Sequence, residues 1–282
     1  MSTFRLISPT DTEKHAGEVI SCAYSADGKF ILSSGWDGHL RLGEGSSGTA
    51  LTTLAVGSKP VSACAITPDG KRWVAGSMEG VVTYWDSHTH LLQSQNVYHT
   101  RPISSLRFSP DGGTLASTSW DRQLSLRSLE HDRDTRTFTA HDDIIAGCCF
   151  SPDGRLLLTW SHDEKLKAWD VQSARERGVL SGHKDRVTTA DISPDGQFAA
   201  SGSRNGELML WNLETRATAA TLKLGDEIRG CYFMPDASSL LVAEGSGRLH
   251  LYALPDLQLR EQLALRHNVQ CGALSPSGRQ LA

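Results

Sequence analysis

Val187-Thr188-Thr189-Ala190-Asp191-Ile192-Ser193-Pro194-Asp195-Gly196-Gln197-Phe198-Ala199-Ala200-Ser201 is the stretch that decides the fold. Two runs suited to strands flank a tetrapeptide in which Pro194 fixes φ and Gly196 tolerates a positive φ, so it reads as strand, tight turn, strand. Arg204-Asn205-Gly206 is a second turn. Glu207 to Trp211 alternates as a third strand, and Ala217 to Leu222 makes a fourth. No segment of the chain carries a helical period long enough to compete.

The tetrapeptide recurs. Ser25-Ala26-Asp27-Gly28, Thr67-Pro68-Asp69-Gly70, Ser109-Pro110-Asp111-Gly112, Ser151-Pro152-Asp153-Gly154, Met234-Pro235-Asp236-Ala237 and Ser275-Pro276-Ser277-Gly278 are its other copies. Their third positions (27, 69, 111, 153, 195, 236, 277) are spaced by 42, 42, 42, 42, 41 and 41 residues. A period in that range marks a repeat architecture. Four-stranded antiparallel units repeated around an axis make a β-propeller.

With these residues in hand, the chain resembles the WD-repeat family over nearly its whole length. Gly182-His183 matches the family's Gly-His element, and His15, His99 and His141 match the His alone, each twelve residues before the third position of its turn. Trp85-Asp86, Trp169-Asp170 and the weaker Trp211-Asn212 match the Trp-Asp ending. The resemblance implies an all-β, seven-bladed propeller with four-stranded antiparallel blades. The seven turns agree with that count. One domain over residues 1–282 is expected, with copies at about 15–56, 57–98, 99–140, 141–182, 183–224, 225–265 and a partial 266–282. Gly43-Glu44, Arg127-Ser128 and Tyr252-Ala253 replace Trp-Asp in copies one, three and six, and copies two and six lack the His, so those blades should be less firmly pinned.

Copy seven reaches Ala282 inside its second strand. Residues 3–7 are expected to add an outer closing strand, with a third strand missing between. Either the sequence continues beyond Ala282, or a partner donates a strand to the open blade by β-augmentation.

The 282 residues are 39% hydrophobic and 21% charged, with a formal net charge of −4. That balance, and basic residues scattered without interleaved aromatics, gives no general attraction to nucleic acid or to a membrane surface. No secretory signal and no long apolar span is present, so an intracellular, cytoplasmic protein is expected. Cys22, Cys64, Cys148 and Cys231 share one slot, five residues before the third turn position, where other copies carry Leu106, Ala190 and Gly272. A slot that accepts those residues is a small apolar packing position. Cys149 and Cys271 sit one place off it, and no Cys-x-x-Cys pair exists. Neither a metal nor a disulfide is expected, and no cofactor.

In copy four, His141, Ser161 and Asp163 imitate a nucleophile–base–orienter set. The same elements recur at the repeat period, as His15 with Asp37, His99 with Asp121 and His183 with Asn205. Catalysis needs one such set at one pocket, whereas repetition is what a structural network predicts. In the family these residues resemble a hydrogen-bonded chain of acid, His, second-strand Ser or Thr, and Trp. Thr159 with Trp169, Ser201 with Trp211, and Ser117 are its candidate members. No enzyme is expected.

The residue before the second-turn acid should project from one face beside the axis. That slot holds Trp36, Met78, Trp120, His162, Arg204 and Gly245. Trp and Arg most often anchor interfaces. The entries to the inner strands (Glu18, Lys59, Arg101, Asp143, Arg186, Glu227, Asn268) add mixed charge to the same face. The expected role is a non-enzymatic scaffold or recognition subunit of a multiprotein complex, binding proteins or peptides through Trp36, Met78, Trp120, His162, Arg204, Arg101 and Arg186. A reader of peptides or modified residues, with Trp36 and Trp120 caging a cation, is the second reading, and a propeller hydrolase the third. The regular period resembles bacterial WD-repeat proteins and the sensor portions of signalling or defence proteins.

Overall fold

The computed structural model describes residues 5–6, 15–130 and 134–282. Among them there are strands and turns and no α-helix, so none long and apolar enough to cross a membrane. Packing divides the chain into two compact units, residues 1–138 with 271–282, and residues 139–270.

The first unit holds three four-stranded antiparallel sheets in simple sequence order. They are β2–β5 (Val19–Tyr24, Phe30–Gly35, His39–Glu44, Ala50–Ala55), β6–β9 (Val61–Ile66, Arg72–Ser77, Val81–Asp86, Leu92–Val97) and β10–β13 (Ile103–Phe108, Thr114–Ser119, Gln123–Ser128, Arg136–Thr139). The second unit holds β14–β17 (Ile145–Phe150, Leu156–Ser161, Lys165–Asp170, Arg175–Ser181), β18–β21 (Val187–Ile192, Phe198–Ser203, Glu207–Asn212, Thr218–Lys223) and β22–β25 (Ile228–Phe233, Ser239–Glu244, Arg248–Ala253, Gln258–Ala264). Within each unit the first strands of successive sheets adjoin: β2, β6 and β10 in one, β14, β18 and β22 in the other.

Burial follows strand order. Second strands such as β11 and β19 are buried along almost their whole length, which their runs of small and apolar residues permit. Outer strands reach solvent, alternately in β5 and completely in β9. The cores lie between successive sheets. Leu32, Leu40, Val61, Trp73 and Trp85 fill the gap from β2–β5 to β6–β9, and Leu158, Leu166, Val187, Met209 and Trp211 that from β14–β17 to β18–β21. Each fully buried Leu contributes about 2 kcal/mol. A β-bulge recurs near the start of all six first strands, between Val19 and Ser21 in β2 and at matching places in the others. Such an extra residue bends and twists the strand.

The repeated turn is locally self-sufficient. The Ser25 hydroxyl donates to Asp27 Oδ1 (2.7 Å), which also accepts from the Lys29 amide (3.1 Å). Ser193 and Asp195 repeat this at 2.5 Å, with the Gln197 amide at 3.0 Å. These bonds hold the Asp27 and Asp195 carboxyls below their ordinary values. Gly28, Gly70, Gly112, Gly154 and Gly196 all have φ between 70° and 75°. Copy six achieves the same turn with Ala237 at φ 55°.

Copy seven departs from expectation. β26 (Gln280–Leu281) bridges antiparallel to Leu274 on one side, as a first and second strand should. On its other side it pairs directly with β1 (Arg5–Leu6), in parallel, with Arg5 opposite Gln280 and Leu6 opposite Leu281. The residues at 5–6 therefore stand beside the second strand rather than one strand farther out. That placement satisfies the backbone edge of β26, which a gap would have left open. The other residues of the expected 3–7 strand lie outside the described residues.

Candidate interaction surface and buried polar chains

In copy four, the Trp169 indole N–H donates to Thr159 Oγ1 (2.9 Å), and the Thr159 hydroxyl lies 2.8 Å from His141 Nε2. His141 Nδ1 then meets Asp163 Oδ2 at 2.9 Å. Asp163 also accepts from the amides of Asp142 (3.1 Å) and Lys165 (3.2 Å), which ties the first strand's entry to the second turn. Burial raises the Asp163 carboxyl, but the His141 bond and these amides outweigh it and bring it to about 2. An acceptor-only carboxylate fixes the direction of the whole chain, from indole to hydroxyl to imidazole to Asp. Every member is satisfied internally, as a buried polar chain must be.

Copy three keeps the chain without the indole. His99 Nε2 lies 2.8 Å from Ser117 Oγ, and Nδ1 lies 3.1 and 3.2 Å from the two Asp121 oxygens. Burial holds the His99 imidazole below its ordinary value. In the absent Trp's place, Arg127 lies 3.9 Å over the Tyr98 ring. Copy one pairs His15 with Asp37 (2.8 Å) and Ser33 (2.9 Å), and Arg41 donates to Asp37 Oδ2 at 2.6 Å. Burial opposes ionisation of Asp37, yet the His15 and Arg41 bonds hold it far below the carboxylate range. No indole fills the Gly43 position. A cavity of about 370 Å³ stands there instead, lined by Ser33, Arg41, Leu42, Gly43, Cys22 and Cys271 among others.

Copy five corrects the sequence expectation for Asn205. His183 Nε2 meets Ser201 Oγ at 2.6 Å, and Trp211 donates to the same hydroxyl at 2.8 Å. His183 Nδ1, however, meets Glu207 Oε2 at 3.3 Å and not Asn205. The reason is acceptor count. Asp121 uses its oxygens for both the imidazole and the Gln123 amide, whereas Asn205 has a single oxygen, already taken by Ser203 Oγ (2.7 Å) and the Glu207 amide (3.2 Å). Glu207, on a longer side chain, supplies the charge. Copy six, with no His at the repeat position, brings Glu244 of β23 and His250 of β24 to 3.5 Å, and Glu244 also accepts from the Gly225 amide. Neither Glu207 nor Glu244 lies at the position of the second-turn acid, and their own slots hold other residue types in the other copies, so the period did not reveal them.

The pairs lie in separate sheets. Among the described residues, no group of three or more His, Cys, Asp and Glu side chains is placed to hold a metal ion.

The turn between second and third strands carries the slot expected to meet partners. Its backbone is pinned alike in every sheet. The amides of Trp36, Met78 and Trp120 donate to the carbonyls of Glu18, Pro60 and Pro102, and those of His162 and Arg204 to Ile144 and Arg186, at 2.9 to 3.1 Å. Trp36 and Trp120 leave 53% and 43% of their surface exposed; Met78 is half-buried between the sheets that carry them. In the second unit Arg204 and Arg186 are exposed and His162 is half-buried. Burial, then the Arg186 and Arg204 charges, hold the His162 imidazole below its ordinary value against the pull of Asp143 and Asp185. Arg101 is exposed in the first unit.

Sequence reading missed a second opening in the first unit. It is a cavity of about 510 Å³ between β2–β5 and β6–β9, lined by Phe30, Leu51, Trp73, His88, His90 and Asp69 among others. His90, at φ 58°, places its ring 5.0 Å from that of Trp73.

No curated protein matches the chain. The family model described as "WD domain, G-beta repeat" matches it five times, at residues 8–42, 48–86, 92–127, 133–170 and 174–212. All five matches end on the third strand of a sheet, four of them at Asp86, Arg127, Asp170 and Asn212, the positions of the Trp-Asp ending or its replacement. Together they span more than half of the sequence, and the chain belongs to the WD-repeat family of β-propellers.

Proposed function

We propose that this chain is a protein-interaction scaffold, a recognition subunit of a multiprotein complex that holds its partners on the turns following the second strands. WD-repeat domains generally bind other proteins or peptides. The observation that carries the proposal is the exposure of Trp36 and Trp120, about half of each indole, at the same repeat slot on pinned backbone. An indole held on a rigid turn loses little conformational freedom on binding, which is what makes Trp an effective anchor. Met78 occupies the same slot on the intervening sheet, and Arg101, at the entry to β10, is exposed.

A cation-caging reader is less well supported. A cage needs its aromatic faces within about 6 Å of one charge, and the two indoles stand on sheets separated by β6–β9. The polar sets built on His15, His99, His141 and His183 favour binding over hydrolysis, because each is closed on itself by hydrogen bonds.

The test is affinity capture from the native source with the unaltered chain and with a W36A/W120A double variant. The captured proteins should be lost with the double variant while its melting temperature stays within about 2 °C, as expected for exposed side chains. Equal capture by both would remove this surface as the binding site.

A further inference from the structure

The contact between copies one and two has a definite pattern. Cys64 Sγ, on the first strand of copy two, lies 3.7 Å from Ser21 Oγ and 3.6 Å from the Leu32 carbonyl, both in copy one. The same pattern recurs between copies seven and one. Cys22, in the slot of Cys64, lies 3.9 Å from Cys271 Sγ and 3.9 Å from the Ala282 carbonyl. Cys271 and Ala282 stand 250 positions beyond Ser21 and Leu32, so a sulfur now occupies the place of the serine oxygen. Elsewhere the same two slots hold Ala63 with Leu106, Ser105 with Cys148, Gly147 with Ala190, Thr189 with Cys231, and Gly230 with Gly272. Two thiols meet at one junction of the repeat.

We propose that Cys22 and Cys271 form a site of reversible oxidation, which takes a small hydroperoxide as oxidant and closes to a disulfide joining copy seven to copy one. Both thiols line the cavity of about 370 Å³ that stands where Gly43 replaces the indole of copies two, four and five. That space admits a hydroperoxide to the sulfurs. A disulfide bond is about 2.05 Å long, so each sulfur needs to travel only about 1 Å from the 3.9 Å contact. The hydrogen bond between the two sulfurs holds the Cys271 thiol below its ordinary value and favours its thiolate, while Cys22 is raised by the same bond and by burial. Cys64 provides the contrast, since burial pushes its thiol up to about 11.

The chemistry balances. The Cys271 thiolate attacks the terminal peroxide oxygen, and the O–O bond breaks. Alkoxide or hydroxide leaves and takes up a proton, giving an alcohol or water and a Cys271 sulfenic acid. Cys22 sulfur then attacks Cys271 sulfur. The S–O bond breaks, and hydroxide leaves as water with the proton of Cys22. Two thiols and one hydroperoxide give one disulfide, one alcohol (or water) and one further water. A low-molecular-weight dithiol reverses it by exchange.

The experiment uses the whole reduced chain. After treatment with hydrogen peroxide, alkylation in denaturant should show four free thiols in place of six, with a linked peptide containing Cys22 and Cys271 by mass spectrometry. A dithiol should restore all six, and the oxidised chain should melt at a higher temperature than the reduced one. Cys22→Ser should stop at a Cys271 sulfenic acid that dimedone traps. If that variant does not fold, the linked peptide from the unaltered chain decides the matter. Six remaining thiols, a different linked pair, or oxidation of Cys64 as fast as Cys271 would overturn the proposal.

Discussion

At the scale of single residues, the chain from Trp169 through Thr159 and His141 to Asp163 ties the third and second strands of one sheet to the entry of its first. Each of these side chains has a hydrogen-bond partner within the same copy. Asp163 sits at about 2 when folded, against an ordinary 3.8. At about 1.4 kcal/mol per pKa unit that difference is worth on the order of 2 kcal/mol. Asp163→Ala should therefore lower the melting temperature by roughly 5 °C, and a melt within 1 °C of the unaltered chain would refute the structural role. The His, its hydroxyl partner and the Asp were legible in the sequence because they repeat with the period. Glu207 was not. Its role follows from counting the acceptors on Asn205, a local matter that periodicity does not see.

At the scale of the element, one turn geometry is used under two kinds of constraint. Gly80, in the second-to-third-strand turn of copy two, has φ 79°, and an added Cβ would collide with the His99 carbonyl. Gly70, in the repeated tetrapeptide, has a similar φ of 70° with open space around the added atom. Both substitutions by Ala incur the left-handed penalty of about 1–2 kcal/mol. Gly80→Ala adds a clash with the backbone at the His99 carbonyl. Gly80→Ala should thus melt several degrees below Gly70→Ala, and equal melting temperatures would show that turn conformation alone sets the cost. Strand order and turn positions were readable from the sequence, since Pro, Gly and alternation mark them. The parallel pairing of β1 with β26 was not, because two residues are too few to carry a pattern and their partner lies at the far end of the chain.

At the scale of the whole molecule, acid response sums over the repeated polar chains. Burial holds the imidazoles of His15, His99 and His183 below their ordinary values. The folded chain therefore binds fewer protons near pH 6 than the unfolded one, and stability rises with pH through that window. The Asp163 contribution is complete above about pH 4 and is lost as pH falls towards 2. Thermal melts should decline in two stages on acidification, first below about pH 6.5 and again below about pH 4. A melting temperature that stays level from pH 7 to pH 5 would contradict the first stage. Family membership could be read at this scale with confidence in the physics, because a constant period, a fixed turn and a fixed His-to-turn spacing point to one architecture. The meeting of Cys22 and Cys271 did not show in the period, since Cys271 sits one place off the slot that Cys22 shares with Cys64, Cys148 and Cys231.

The pairing of residues 5–6 with residues 280–281 also sets an order of events during synthesis. Every four-stranded sheet can close once its own forty-odd residues have left the ribosome, but residues 5–6 must wait for residues 280–281, made much later. Until residues 280–281 emerge, residues 5–6 stay unmatched beside growing, already folded sheets, a vulnerable interval for chaperones or proteases to read.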